Sequence, residues 1–216
     1  DKSIPELVKV YRPLAQRLGT LISAMSQGVI QKVEVIYRGE IATLDISALT
    51  CAFSIGLLQS HFEETLNVVN TPFLAKQRGI SVDETKNADA LDWANSITIR
   101  VMTDETDHAI TGTVYDNNIP RIVSIDDYML EVSPVGALIV ILNEDHPGVI
   151  GAVGTVCGTH NINIDTMGVG CFKAAKRAAL AINTDKLPSE EALDSLRQKP
   201  YINMVIACEL PDGYDA

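Results

Sequence analysis

The chain has 216 residues, and its 46% hydrophobic content is enough to bury a sizeable core in one large or two small domains. A net charge of -11 argues against nucleic acids and anionic membranes as partners, because both require an electropositive surface. No apolar run approaches the roughly 20 residues that cross a bilayer, and no signal-peptide core is visible, so we expect a protein of the cytoplasm or the plastid stroma.

The first third of the chain predicts helices on either side of extended segments. Residues 12–25 carry an apolar stripe at helical spacing, which indicates an amphipathic helix. Residues 31–46 alternate between apolar and polar side chains, with a turn at Gly39, which indicates one strand leading into a second. Residues 47–61 are typical of a buried helix that begins after a cap at Ser47.

The next segments complete a first domain of mixed α/β type. A short strand is predicted at 66–70, and Thr71 and Pro72 are typical of a helix start. Three alternating, β-branched stretches separated by turn residues then predict an antiparallel meander. These stretches are residues 95–104, 108–117 and 120–132.

The Ser-Pro-Val-Gly run at 133–136 interrupts this pattern, so we place the domain boundary between residues 134 and 135. The residues that follow predict the order β-α-β-β-α-β. This order is the ferredoxin-like arrangement, an antiparallel sheet with two helices on one face, and the whole chain is assigned to the α+β class. The six elements are predicted at 137–143, 148–160, 162–171, 177–184, 189–198 and 201–210.

A polar loop joins the first strand and helix of this second domain. Residues 143–148, hereafter the elbow, read Asn-Glu-Asp-His-Pro-Gly, and the unpaired N–H groups of the helix start favour a carboxylate. Asp145 can hold an ammonium group, while Asn143 and Asn163 can donate to and accept from a hydroxyl or carboxylate. This combination predicts a site for a free amino acid. The alternative is a strand-to-helix turn that serves stability alone.

The predicted second domain also indicates self-association. A four-stranded sheet has two edges with unpaired backbone groups, and pairing with a second copy satisfies them. We therefore expect a homo-oligomer that forms through the sheet edges. The amino acid would then lie in the seam, with Asn163 supplied by the same copy or by the other.

The first domain has a weaker candidate site, for an anion. The predicted helix start at Thr71 lies near basic side chains, and the two together favour the binding of a phosphate. In the alternative reading the helix is structural and its charges are solvated. The candidate anion-binding residues are Asn70, Thr71, Lys76, Arg78 and Arg121.

No metal site is predicted. The four histidines and four cysteines lack ligand spacing, since no C-x-x-C or H-x-x-x-H occurs. The cysteines each lie in apolar stretches and are expected to be reduced core thiols. They are Cys51, Cys157, Cys171 and Cys208.

The stretch NEDHPGVIGAVGTVCGTHNINIDTM resembles the ACT regulatory domain over residues 137–210. The preceding stretches QKVEVIYRGEIATLDISALT, NVVNTPFLAKQRGI and PRIVSID resemble the intervening, allosteric substrate-binding domain of long-form D-3-phosphoglycerate dehydrogenases. The resemblance implies a regulatory region at residues 1–134 and 135–216 of an enzyme that oxidises 3-phosphoglycerate with NAD. It also implies feedback inhibition by L-serine.

Carried over by position, the resemblance implies contacts to L-serine from Asn143, Asp145 and Asn163. The chain departs from the family at His146, where Arg is common, and at FKAAKRAAL, where a Gly-rich turn is usual. The serine-binding residues predicted from the elbow and the resemblance together are Asn143, Asp145, His146, Pro147, Gly148, Val149, Ile150 and Asn163.

The sequence has no G-x-G-x-x-G turn, so no NAD site is predicted on this chain, and NAD is assigned to the parent enzyme. A phosphorylated substrate or analogue is a possible second ligand, at the anion site. Two alternatives stay open. One is the regulatory part of an iron–sulfur L-serine dehydratase, whose clustered cysteines and Ser-rich signature are not found. The other is a stand-alone amino-acid sensor.

Overall fold

The computed structural model describes residues 4–62, 65–67, 70–77 and 79–211. The chain divides after Ile122 into two compact units. The domain boundary predicted between residues 134 and 135 lies later in the chain, and the residues between the two positions belong to the second unit.

Two close-packed helices form much of the core of unit 1. Helix α1 spans Glu6–Met25 and helix α2 spans Ser47–Leu58. They can approach closely because glycines lie at their contact: a Cβ added to Gly19 would lie 2.3 Å from the carbonyl oxygen of Phe53. Residues with side chains at this position would therefore separate the helices. A third helix, α3, spans only Thr71–Gln77.

The strands of unit 1 pair around β1, which spans Ile30–Gly39. Strand β2 (Val82–Asn87) is parallel to β1, and β3 (Asn95–Thr103) is antiparallel to it on the other side. Strand β4 (Asp107–Tyr115) is antiparallel to β3, so the antiparallel pairing predicted for these two stretches is confirmed.

Two local predictions for unit 1 were wrong, and one strand was not predicted. The segment after Gly39, whose φ is 87°, is a 3-10 helix at Glu40–Thr43 and not a strand. Residues 65–67 and 70 are not in a strand, while 68–69 lie outside the described residues. Strand β2 was missed because its polar sequence carries no apolar alternation, and pairing with β1 holds it in place.

The stretch 120–132, predicted as one strand, is two. Strand β5 spans Ile119–Ile125 and strand β6 spans Tyr128–Val132. The chain reverses at Asp126, whose φ is 49°, a conformation that aspartate tolerates better than most side chains. The hydroxyl of Ser124 donates to the carbonyl oxygen of Asp126 at 3.0 Å and stabilises the turn.

Unit 2 contains the predicted ferredoxin-like arrangement, which is confirmed. Its four-stranded sheet has the order β10-β7-β9-β8, so β10 and β8 are the edges. All neighbouring pairs are antiparallel. The elements are β7 (Gly136–Glu144), α4 (Val149–Thr159), β8 (Ile164–Phe172), β9 (Arg177–Thr184), α5 (Glu190–Arg197) and β10 (Ile202–Leu210).

One face of this sheet packs on the two helices, with Ile139 and Ile141 of β7 buried against Val153 of α4. Strand β6 lies against the edge strand β8. A Cβ added to Gly168 of β8 would lie 2.3 Å from the carbonyl oxygen of Glu131 of β6. Glycine is therefore required at this position of β8.

The cysteines are free, as predicted, but one of the core assignments was wrong, because the Cys171 side chain is exposed. Cys157 is buried, and burial raises the pKa of its thiol. Burial, with a smaller contribution from the neighbouring Glu209 carboxylate, raises the pKa of Cys208 to about 12. We found no helix in the described part of the chain that is long and apolar enough to cross a membrane.

Candidate functional site

The elbow is held by backbone hydrogen bonds from both neighbouring strands. The Glu144 N–H donates to the carbonyl oxygen of Tyr201, just before β10, at 2.8 Å. The Asp145 N–H donates to the carbonyl oxygen of Lys176, just before β9, at 2.9 Å. These two bonds fix the path of the loop between β7 and α4, so its side chains are presented from a defined backbone.

Asn143, the first residue of the elbow, is only 3% exposed. Its Nδ2 donates to the carbonyl oxygen of Glu144 at 2.6 Å. Its Oδ1 is buried and has no hydrogen-bond partner among the described residues. A buried acceptor left unpaired costs about 1–3 kcal/mol, so the elbow contains an acceptor that a donor from outside the chain would stabilise.

The start of α4 is also open to an external partner. The helix begins at Val149, one residue after the predicted start, and Gly148 is its N-cap residue at a φ of 98°. No side chain caps this helix. The Val149 N–H makes a long bond of 3.4 Å to the carbonyl oxygen of His146. Uncapped N–H groups and the helix dipole together favour an anionic group.

Glu144, Asp145, His146 and Pro147 of the elbow are exposed. Nδ1 of His146 donates to the carbonyl oxygen of Pro147 at 2.9 Å, because a carbonyl can only accept. The imidazole also stacks on the ring of Tyr201, with centroids 3.9 Å apart and planes 11° apart. Sequence reasoning missed Tyr201. Its backbone neighbour Ile202 pairs with Asn143, a contact that follows from the strand order.

Asn163 does not join the other predicted residues within one copy. It precedes β8, where Ile164 pairs with Thr184 of β9, whereas Asn143 pairs with Ala178 of the same strand. At about 3.3 Å per residue, the six residues from 178 to 184 place the two ends about 20 Å apart. Asn163 is exposed there, and its Nδ2 donates to Oδ1 of Asp165 at 2.9 Å.

The residues predicted for an anion at α3 use most of their polar atoms locally. The Asn70 N–H donates to Oδ1 of Asn67, and Oδ1 of Asn70 accepts from the Asn67 N–H. The Thr71 hydroxyl is buried and donates to the carbonyl oxygen of Asn67 at 2.6 Å. These contacts stabilise the turn that leads into α3, and they leave few side-chain donors for a ligand.

The basic candidates are dispersed. Lys76 is exposed in the last turn of α3, and Arg121 of β5 donates to the carbonyl oxygen of Pro120 at 2.8 Å. Arg78 lies outside the described residues. The anion site thus stays a prediction. Across the described ranges, no three His, Cys, Asp or Glu side chains are grouped as a metal ion requires.

Two family models match the chain. The model described as the D-3-phosphoglycerate dehydrogenase intervening domain matches residues 7–126, and the model described as the ACT domain matches residues 137–200. The first match alone covers more than half of the chain. The chain belongs to the D-3-phosphoglycerate dehydrogenase family. It comprises the regulatory region of these proteins, an intervening domain followed by an ACT domain.

Named relatives agree with this assignment. The chain is 32% identical to proteins named D-3-phosphoglycerate dehydrogenase from Bacillus subtilis and from Methanocaldococcus jannaschii, in each case over 94% of its length. A chloroplastic protein of the same name from Arabidopsis thaliana is 28% identical over 94%. The chain spans 37–39% of the length of these three relatives. ACT domains bind amino acids, and dehydrogenases of this family are oligomeric.

Proposed function

We propose that the ACT domain of this chain binds free L-serine at the elbow and reports its concentration. The observation that carries the proposal is the unpaired, buried Oδ1 of Asn143. A fold that keeps such an acceptor loses about 1–3 kcal/mol unless a donor arrives, and the ammonium group of an amino acid is such a donor.

The remaining groups of the elbow match the rest of a zwitterion. The Asp145 carboxylate attracts the ammonium group, and the uncapped start of α4 attracts the carboxylate. A short polar side chain such as the serine hydroxymethyl group then requires a partner that donates and accepts. The amide of Asn163 has this capacity.

A second copy would supply that amide. Because Asn163 lies about 20 Å along the sheet from Asn143 of its own copy, we assign it to the site of the partner copy. Antiparallel pairing of two β8 edges brings the start of one β8 beside the end of the other. The same pairing is favoured by the exposed apolar side chains Val169 and Phe172 on β8.

Helix α4 lies on the side of the sheet where the two copies would meet, hereafter the meeting face. Helix α5 contacts β10, so α4 lies over the other half of the sheet, where it shares a core with Met167 of β8. The exposed side of α4 carries Gly151, Gly154 and Gly158, and a Cβ added to any of them meets open space. Each glycine costs a helix about 1 kcal/mol relative to alanine, so a close approach by a second backbone would explain them.

For the parent protein we propose the activity that its relatives' names state, dehydrogenation of D-3-phosphoglycerate, in the cytoplasm or the plastid stroma. We assign NAD to it as the hydride acceptor that the resemblance implies. No step of that reaction is assigned to this chain. Serine that binds the paired arrangement better than the unpaired one would shift the population of the whole protein. Couplings of about 1–3 kcal/mol give roughly 5- to 150-fold effects, which is sufficient for feedback inhibition.

In the alternative of a stand-alone sensor, the amino acid binds at the same elbow. The difference is that no catalytic domain is attached to respond to it. A serine dehydratase is disfavoured, because the matched relatives are named dehydrogenases and the intervening-domain model covers residues 7–126. The parent open reading frame separates these alternatives, since a dehydrogenase requires a dinucleotide-binding fingerprint outside this region.

The test is calorimetric titration of the chain with L-serine, glycine, L-alanine and D-serine. We expect saturable binding that prefers L-serine and falls about 10- to 100-fold in Asp145→Ala, since a hydrogen bond to a charged group is worth about 1.5–3 kcal/mol. Glu191→Ala, which removes an exposed carboxylate in the first turn of α5, is the matched control and should bind normally. Equal binding by Asp145→Ala and the wild type would contradict the assignment.

A further inference from the structure

The backbone of Tyr201 is unusual. Its φ is 69°, in the left-handed region that bulky side chains seldom adopt. The other described non-glycine residues with positive φ are Lys176 and three residues of the types that tolerate this conformation, Asn118, Asp126 and Asn161. A strained conformation persists when surrounding contacts maintain it, and such residues cluster at functional sites.

Two contacts of Tyr201 lead to the elbow. Its carbonyl oxygen accepts the Glu144 N–H at 2.8 Å, and its ring stacks on His146. Tyr201 is 43% exposed, so burial in the core does not explain its conformation.

The stack restricts what His146 can offer. One ring face is covered by Tyr201, and Nδ1 is engaged with the carbonyl oxygen of Pro147. Nε2 has no hydrogen-bond partner within the described residues, and the second ring face carries no other described aromatic contact. The imidazole of His146, next to Asp145, is therefore fixed at one ring face and at Nδ1. Its Nε2 and its second ring face are left for a ligand.

We propose that Tyr201 is a positioning residue of the amino-acid site: its strained backbone holds the phenol ring against His146 and so fixes the imidazole, with Nε2 outward, beside the bound ligand. This inference rests on the proposed function, because it concerns the same site. It adds to the site a residue outside the elbow, in the turn that precedes β10.

Three substitutions separate the ring from the backbone. Tyr201→Phe keeps the ring, whereas Tyr201→Gly removes the ring and relieves the positive φ. Tyr201→Asn removes the ring with a residue that tolerates this conformation, and it serves if the glycine variant folds poorly. Asn118→Gly, at a positive-φ position of unit 1 outside the elbow, is the matched control for added glycine.

The readouts are L-serine affinity by calorimetry, thermal unfolding, and the proton chemical shifts of the His146 ring. We expect Tyr201→Phe to bind normally and both ring-removing variants to bind about 3- to 10-fold more weakly, as the usual worth of an aromatic pair implies. Tyr201→Gly should unfold at the wild-type temperature or higher. The His146 ring protons should lose their upfield ring-current shift only when the ring is removed.

Three outcomes would overturn the proposal, and they are distinguishable. If the wild type binds L-serine and Tyr201→Gly or Tyr201→Asn binds it equally well, Tyr201 has no positioning role while the proposed function stands. If the wild type binds no amino acid, both fail. Unchanged His146 shifts in the ring-removing variants would show that the stack is absent in solution, and this too would overturn the proposal.

Discussion

Two helix starts in this chain look alike in sequence and differ in how they use their polar groups. At α3, Asn70 and Thr71 precede a proline; at α4, Asp145 and His146 do. The α3 residues bond to Asn67, so their polar groups stabilise the turn that leads into the helix. At α4 no side chain caps the helix.

This difference shows that the hydrogen bonds of a polar, proline-containing helix start distinguish a structural turn from a candidate site. A buried polar atom that the chain satisfies contributes to folding. One that it leaves unpaired, like Oδ1 of Asn143, lowers stability, and this supports our proposal that a ligand pairs with it. The hydrogen bonds distinguish the two helix starts, although the sequence predicts a ligand site at both.

The largest expected effect is at Asn143. Asn143→Leu replaces the amide with an apolar group of similar shape, so L-serine binding should weaken about 10-fold or more. The unfolding free energy should not fall, because the unpaired oxygen is removed as well. Calorimetry and chemical denaturation of the same samples measure both. Strong destabilisation with intact binding would mean that Asn143 is structural.

The opposite result is expected at α3. Thr71→Val keeps the buried volume and removes the hydroxyl that donates to the carbonyl oxygen of Asn67. We expect the unfolding free energy to fall by about 1 kcal/mol, with L-serine affinity unchanged. Denaturation in urea with calorimetry tests this. A loss of L-serine binding in Thr71→Val would contradict the assignment of a purely structural role to the start of α3.

The smallest effect is expected on the exposed face of α4. Gly154→Ala should raise the stability of the isolated copy by up to about 1 kcal/mol, because the added Cβ meets open space and alanine favours helix. The same change, and more strongly Gly154→Leu, should weaken self-association measured by analytical ultracentrifugation. Association unaffected by Gly154→Leu would place the meeting face away from α4.

Much of unit 2 could be predicted from sequence, because its strands alternate or are continuously apolar and its turns carry Pro and Gly. The elbow could be predicted too, since Asn143 to Ile150 are contiguous. The position of Asn163 at the opposite end of the sheet follows from the β-α-β connection. The weaker region was unit 1, where pairing with β1 makes a strand of the polar residues Val82–Asn87.

Other features depend on tertiary contacts that carry no local signal. Tyr201 reaches the elbow through the pairing of β10 with β7, and nothing in the local sequence predicts its positive φ. The internal hydrogen bonds of Asn67 and Asn70 could not be distinguished in sequence from free donors. The turn at Asp126 was hidden because the residues on both sides of it have strand character.

The central claim is that one amino-acid site is built from two copies, and a mixing experiment tests it most directly. Asp145→Ala and Asn163→Ala chains should each bind L-serine weakly when alone. If the site is shared, an unfolded and refolded equimolar mixture should recover about a quarter of the wild-type binding capacity, because half of the pairs would contain one intact site. A mixture that binds no better than either variant alone would contradict the shared site.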